Sequence, residues 1–172
     1  RQAFLSPSIG NDYSKDIVVN NFNIKWPTNT EVALSVQGMP FNLSNGSFNP
    51  SPTASVAKLI TSLVVLDKYP LELNQQGPDI TINQSDVDIY KNYVAQGGSV
   101  TYVTLGEKLS EYQMLESLML PSSDNCADTL AIWAYGSLKE YKIAATNFLS
   151  KNGLNGTTIG SDASGLAPDT IS

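Results

Sequence analysis

Apolar residues are densest between Ser51 and Lys68, where Val56, Leu59, Ile60, Leu63, Val64 and Leu66 recur at helical spacing and Ala57 and Val65 fill the gaps. This pattern predicts a central helix buried on nearly every side. Pro50 and Pro52 prevent an earlier start, and Thr53 is the expected N-cap. Ser55, Lys58, Thr61 and Ser62 are the polar interruptions before Asp67. Ser55 and Lys58, three residues apart, share a face and are within reach of each other, which puts a hydroxyl beside an amine at the positive end of the helix dipole.

Around this helix the pattern alternates between strand and helix. Val32, Leu34 and Val36 alternate with polar or small residues and predict a strand over Glu31 to Gln37, with a second strand at Asp16 to Val19. Asn45-Gly46 predicts a hairpin turn, with a short partner strand at Phe41 to Leu43 or at Phe48. Beyond Tyr69-Pro70, short β segments are expected at Ile80 to Ile82 and Val100 to Val103, with a single helical turn near Ser85 to Tyr90. Three helices follow. The first opens on the Ser110/Gln113 capping box, carries Tyr112, Leu115, Leu118 and Met119 on its apolar face, and ends at Pro121. The second is capped by the hydroxyls of Ser122 and Ser123 and buries Cys126, Ala127, Leu130, Ala131, Trp133 and Ala134 up to Gly136. The third runs from the Ser137/Glu140 box through Ile143, Ala144, Phe148 and Leu149 to Gly153. The expected organisation is one domain over 1–172: a lead-in arm (1–30), strands and central helix (31–104), a helical cluster (105–153), and a loop tail (154–172) with a strand candidate at Thr157 to Gly160.

Composition removes several function classes. Net charge is −6, and nine lysines and one arginine are scattered along the chain, so nucleic acid is not an expected partner. No apolar run is long enough to cross a membrane, and residues 1–16 lack the apolar centre of a signal peptide, so a soluble or already processed segment is expected. The single Cys126 excludes an internal disulfide and reads as a small buried residue. Histidine is absent. That excludes Ser-His-Asp and Cys-His nucleophiles, His-based zinc sites and His general bases within the chain, and neither metal nor cofactor is expected. Any hydrolytic nucleophile here must be activated by lysine, carboxylate or tyrosine, and Ser55 beside Lys58 is the pair that remains.

Spacing alone does not decide the matter. One Ser-x-x-Lys pair is about the chance number for this composition, and Ser-x-Asn recurs at Ser47, Ser123 and Ser150. On one reading Ser123 only caps its helix and Lys58 reaches out of the core. On the other, the start of the Ser55-Lys58 helix and Ser123-Asp124-Asn125 at the mouth of another converge on a cleft.

The segments PTASVAKLITSLVVLD, ITINQSDV, GSVTYVTLGEKLSEYQMLESLMLPSSDNCADTLA and FLSKNGLNGTTIGSDASGLAPDTIS, in this order over roughly residues 31 to 172, resemble the low-molecular-mass penicillin-binding proteins, the serine-type D-alanyl-D-alanine carboxypeptidases. PSSDNCADTLA and DASGL are the most specific parts. The resemblance implies an α/β, β-lactamase/penicillin-binding-protein-like transpeptidase fold in which a sheet packs on a central helix beside a helical cluster. It also implies a serine acyl-transfer site. Ser55 would be the nucleophile, Lys58 the acceptor of its proton, Ser123 a proton shuttle to the leaving amine, and Asn125 a partner for the substrate's peptide group. The implied substrate is the peptidoglycan stem peptide, which loses its terminal D-alanine through an acyl-enzyme. β-Lactam antibiotics would be alternative acylating partners, and the location would be the extracellular side of a bacterial cell envelope. Burial and the helix N-terminus both favour a neutral amine at Lys58, and the Ser55 N–H could supply one oxyanion donor.

Two alternatives remain. A class A-like β-lactamase shares Ser-x-x-Lys and Ser-Asp-Asn but needs a later glutamate, and Glu140, the last one, falls within a predicted helix. A catalytically degenerate cell-wall-binding homologue is the other. The family's Lys-Thr-Gly motif is absent, because the last lysine, Lys151, precedes Asn152-Gly153. The chain is therefore expected to be the N-terminal part of the catalytic domain. It would be inactive without the C-terminal remainder that carries the Lys-Thr-Gly strand.

Overall fold

The computed structural model describes residues 24–28, 30–38, 42–46 and 49–172; the expected strand at Asp16 to Val19 and nearly all of the lead-in arm lie outside them. The chain divides into two compact units, Arg1–Phe48 and Asn49–Ser172.

In the first unit β1 (Val32–Ser35) pairs antiparallel with β2 (Asn42–Asn45), Val32 opposite Asn45 and Ser35 opposite Asn42. The chain therefore reverses between Ser35 and Asn42, where Gly38 takes φ 84°, and not at Asn45-Gly46 as expected. Gly46 serves a different need at the open end of the ladder, since a Cβ there would come within 2.8 Å of Glu31 Cγ.

The second unit opens with a 3₁₀ turn (Ala54–Val56) that runs into α1 (Ala57–Lys68). The expected burial of α1 on nearly every side needs correction. Ala57, Lys58, Thr61, Ser62, Val64 and Val65 are buried, whereas Val56, Leu59 and Leu63 are half exposed. The helix turns its polar stripe inward because each polar group there finds a partner: Thr61 Oγ1 meets the Ala163 carbonyl at 2.6 Å and Tyr141 Oη at 2.7 Å, and the Ser62 hydroxyl donates to the Lys58 carbonyl at 2.8 Å.

β3 (Asp79–Thr81) pairs antiparallel with β4 (Lys108–Ser110), a strand that lies within the stretch 105–153 expected to be helical. Between them α2 (Gln84–Ala95) has twelve residues, not the single turn expected. Its start is a capping box: the Asn83 side chain accepts from the Ser85 and Asp86 N–H groups, while Asp86 accepts the Asn83 N–H at 2.8 Å. Val100 to Val103 forms no strand; its backbone bonds to side chains of a later helix instead.

The three expected helices are present as α3 (Glu111–Met119), α4 (Asp124–Tyr135) and α5 (Leu138–Lys151). α3 has the Ser110/Gln113 box, but its inward residues are Glu111, Met114 and Leu118 while Tyr112 is 42% exposed. The helix enclosed on almost all sides is α4, with Asp124 to Ala131 and Ala134 buried. It touches α1, α2, α3 and α5. The core joins Val64 and Val65 of α1, Ile80 of β3, Met114 and Leu118 of α3, the Cys126-to-Ala134 face of α4, Tyr141, Ala145 and Leu149 of α5, and Ile159 and Ala163 of the tail. The tail candidate at Thr157 to Gly160 reduces to isolated bridges that link Thr158 and Pro52 to Ile171. No helix among the described residues is long and apolar enough to cross a membrane.

Candidate active site

The start of α1 is held from outside, not capped from within. Thr53 makes no side-chain cap bond; its N–H donates to the Thr170 carbonyl at 2.9 Å. Ala54 adopts a left-handed φ of 46°, a costly conformation for a residue with a Cβ, and it immediately precedes Ser55. Gly165 packs so closely on Ala54 that a Cβ at Gly165 would collide with the Ala54 carbonyl oxygen. Asp162 shapes the loop that brings Gly165 there: its carboxylate accepts the N–H groups of Ser164, Gly165 and Ala167 at 2.6 to 2.9 Å. The DASGL segment is thus a brace under the helix start.

Ser55 is exposed within the 3₁₀ turn, and Lys58 is buried one turn on. Lys58 Nζ lies 3.1 Å from Ser55 Oγ, 2.6 Å from Asp124 Oδ1 and 3.0 Å from the Ser164 carbonyl oxygen. An ammonium has three protons and no acceptor site, so all three donors are used. The Lys58–Asp124 ion pair is nearly desolvated, with side chains 3% and 5% exposed. Asp124 is itself clamped: Oδ2 accepts the Ser99 N–H at 2.9 Å, and the Asp124 N–H donates to the Ser99 carbonyl at 2.7 Å. Gly98 makes room for the carboxylate, since a Cβ there would stand 2.6 Å from Oδ2.

The structure brings Ser55 and Lys58 together but does not bring Ser123 and Asn125 to them. Ser123 is fully buried; its Oγ accepts the Thr101 N–H at 2.9 Å and donates to Asn125 Oδ1 at 2.7 Å. Asn125 is bound in both directions to Thr101, accepting its N–H at 3.0 Å and donating Nδ2 to its carbonyl at 3.0 Å. The expected shuttle and substrate-peptide roles are therefore corrected, because the hydroxyl and amide already hold the Ser99–Val103 segment against α4. Ser123 does not cap α4 through its side chain either. The buried Cys126 thiol is pushed up by desolvation, partly offset by hydrogen bonds with Ser123 and Thr101.

Asp124 is the site residue that sequence reasoning passed over, although its signal was present. PSSDN offers two overlapping frames, Ser122-x-Asp124 and Ser123-x-Asn125. The choice depends on where α4 begins, which places Asp124 at its first position. Ser122 has a left-handed φ of 58°, and its hydroxyl has no hydrogen-bond partner among the described residues. One turn further along α4, Asp128 accepts the Tyr93 hydroxyl at 2.7 Å and the Ala163 N–H at 2.8 Å. Burial pushes its carboxyl up to about 6. Burial also raises Tyr93 and Tyr141, so both phenols remain protonated donors or acceptors near neutrality.

A serine hydroxyl beside a buried lysine at a helix start, backed by the mouth of a second helix and a looped tail, sits on a mixed helix-and-sheet fold of the kind found in penicillin-binding proteins. The chain has that fold and resembles the D-alanyl-D-alanine carboxypeptidases. In sequence it is 32% identical over 109 residues to a D-alanyl-D-alanine carboxypeptidase of Streptomyces sp. (strain K15), over 63% of this chain and 35% of that protein. A serine-to-alanine variant of the Streptomyces K15 DD-transpeptidase superposes with TM-score 0.60 at 25% identity, covering 76% of this chain and 50% of the other. Penicillin binding protein 6B from Escherichia coli (TM-score 0.64, 20% identity, 76% of this chain, 41% of that one) shares the fold. So does the D-alanyl-D-alanine carboxypeptidase from Mycobacterium tuberculosis H37Rv (0.61, 21%, 76%, 45%). No family model matches the chain. It spans between about a third and a half of the length of these relatives.

Proposed function

We propose that the protein containing this chain is a serine D-Ala-D-Ala carboxypeptidase. The observation that carries this reading is the 3.1 Å contact between Ser55 Oγ and the buried Lys58 Nζ, on a fold shared with DD-peptidases. Ser55 Oγ attacks the carbonyl carbon of the penultimate D-alanine of a peptidoglycan stem peptide, and its proton passes to Lys58 once that ammonium has given up one of its own protons. The Ser55 N–H, at the helix start, supplies one donor to the oxyanion. The carbon–nitrogen bond then breaks, the leaving D-alanine amine takes the proton, and water hydrolyses the Ser55 ester. Penicillins enter the same step because a β-lactam imitates the acyl-D-Ala-D-Ala end. This substrate places the protein on the extracellular side of a bacterial envelope. A β-lactamase reading has less support: Glu140, the last glutamate, is exposed in the first turn of α5.

The full-length protein should become labelled by a tagged penicillin, with the adduct on the Ser55 peptide by mass spectrometry, and should release D-alanine from a D-Ala-D-Ala peptide. Ser55→Ala should abolish both, and Lys58→Ala should slow acylation by about 100-fold to 10,000-fold. Labelling that survives Ser55→Ala overturns the assignment. Rapid penicillin turnover without accumulation would point to the β-lactamase reading instead, and no labelling at all to a binding homologue.

A further inference from the structure

We propose that Asp124 is the residue that receives the Lys58 proton when Ser55 is activated, so that the working unit is Ser55–Lys58–Asp124. This rests on the Ser55 acyl-enzyme reading and extends it to a residue whose effect is exerted through Lys58. In the resting arrangement Lys58 cannot accept a proton, because each of its three N–H groups is already donated, to Ser55, Asp124 and Ser164. The shortest of these contacts is the 2.6 Å one to Asp124 Oδ1. Transfer of one proton along it converts two buried opposite charges into a neutral amine and a neutral carboxylic acid, which removes the desolvation cost of a separated pair. That transfer runs together with the attack, as the emerging amine lone pair faces Ser55 Oγ, so that both protons move in one step. As Oγ forms its bond to the substrate carbonyl carbon, the hydroxyl proton moves to Lys58 Nζ, and the carbonyl electron pair moves to the oxyanion. When the carbon–nitrogen bond breaks, Lys58 gives that proton to the leaving nitrogen, and Asp124 returns its own to Lys58 after the leaving group departs. One proton is borrowed and returned at each site.

The surroundings fit a holding role and not a merely structural anion. Ser99 fixes Oδ2, leaving Oδ1 free for the lysine. Gly98 allows the approach. Among the described residues, Asp128 on α4 is an ionisable group that acts on Asp124, and Asp162 in the tail loop and Tyr93 on α2 act in turn on Asp128; the groups that touch the pair, Ser55, Ser99 and Ser164, are uncharged. Asp128 already holds the Tyr93 hydroxyl and the Ala163 N–H and does not contact Lys58.

The test is the pH dependence of acylation of the full-length protein by a labelled penicillin, from about pH 4 to about pH 9, in the parent, Asp124→Asn and Asp128→Asn. In the parent one proton is shared within the Lys58–Asp124 pair, and acylation fails only when the pair gains a second proton at low pH. In Asp124→Asn the lysine must instead lose its proton to solvent, so the acid limb should move to higher pH by about one unit or more, while Asp128→Asn leaves it in place. If the carboxylate only anchors a lysine that loses its proton to solvent in the parent too, removing it favours the neutral amine and moves the limb to lower pH. A downward shift, an unchanged limb, or a shift in Asp128→Asn alone overturns the proposal. Asn offers one acceptor where Asp124 serves two donors, so that variant can fail to fold. In that case a proton inventory of parent acylation in mixed light and heavy water decides, with two protons in motion expected and a linear one-proton dependence overturning the idea. Absence of Ser55 labelling in the parent removes the underlying acyl-enzyme reading itself, whereas a labelled parent with an unmoved limb removes only the role of Asp124.

Discussion

Glu111 should be a source of pH-dependent instability, and replacing it should stabilise the protein. Its side chain is fully buried at the start of α3, and neither carboxylate oxygen has a hydrogen-bond partner among the described residues. Burial alone raises its carboxyl from 4.5 to about 7. A group whose folded pKa is raised in this way binds its proton more tightly in the folded chain, so stability is highest below about pH 4.5 and is lost as pH rises towards 7. At 1.36 kcal/mol per pH unit the displacement corresponds to at most about 3 kcal/mol above pH 7, and an unsatisfied buried polar group independently suggests about 1–3 kcal/mol. Glu111→Met keeps the side-chain length and removes the charge. Urea unfolding at about pH 4 and about pH 8 should show a gain over the parent that is larger at the higher pH by about 1–3 kcal/mol, since the ionisation cost adds there to that of an unsatisfied carboxyl. An equal difference at both values, or destabilisation at the higher, would refute the reasoning, because only ionisation of Glu111 makes the effect depend on pH.

Gly165→Ala should be severe, since it adds a Cβ at φ 75° against the Ala54 carbonyl; a thermal melt should register a loss of about 2 kcal/mol or more, and Ser55 acylation should fall with it. Ser122 and Ser123 should separate. Ser123→Ala removes a buried hydroxyl that serves Thr101 and Asn125, so it should cost about 1–3 kcal/mol in stability. Ser122→Ala, at a hydroxyl with no hydrogen-bond partner among the described residues, should leave stability within about 0.5 kcal/mol. Equal losses of stability in the two variants would contradict this difference in partners.

What was legible before any coordinates were the items that depend on near neighbours in the chain. The Ser110/Gln113 and Ser137/Glu140 starts, the Gly136 end at φ 84° and the Ser55-to-Lys58 contact all lie within one helical turn, so spacing determines them. The Asn83/Asp86 start of α2 is equally local, but it departs from the usual box, with Asn in place of Ser or Thr at the cap and the shorter Asp in place of Glu or Gln three residues on.

Tertiary structure decided the rest. Which face of α1 is buried depended on partners eighty or more residues away: Tyr141, Ala163 and Ser164 make Thr61 and Lys58 affordable inside and leave Val56, Leu59 and Leu63 outside. Burial on all sides fell to α4 because four helices pack around it, which its own alanine-rich pattern did not distinguish from an ordinary amphipathic helix. The second half of the candidate site turned on a single register, whether Asp124 or Asn125 faces Lys58. Spacing cannot resolve a shift of one residue in a helix start, because consecutive positions differ by about 100° around the axis, and only packing against Ser99 and Thr101 selects one of them.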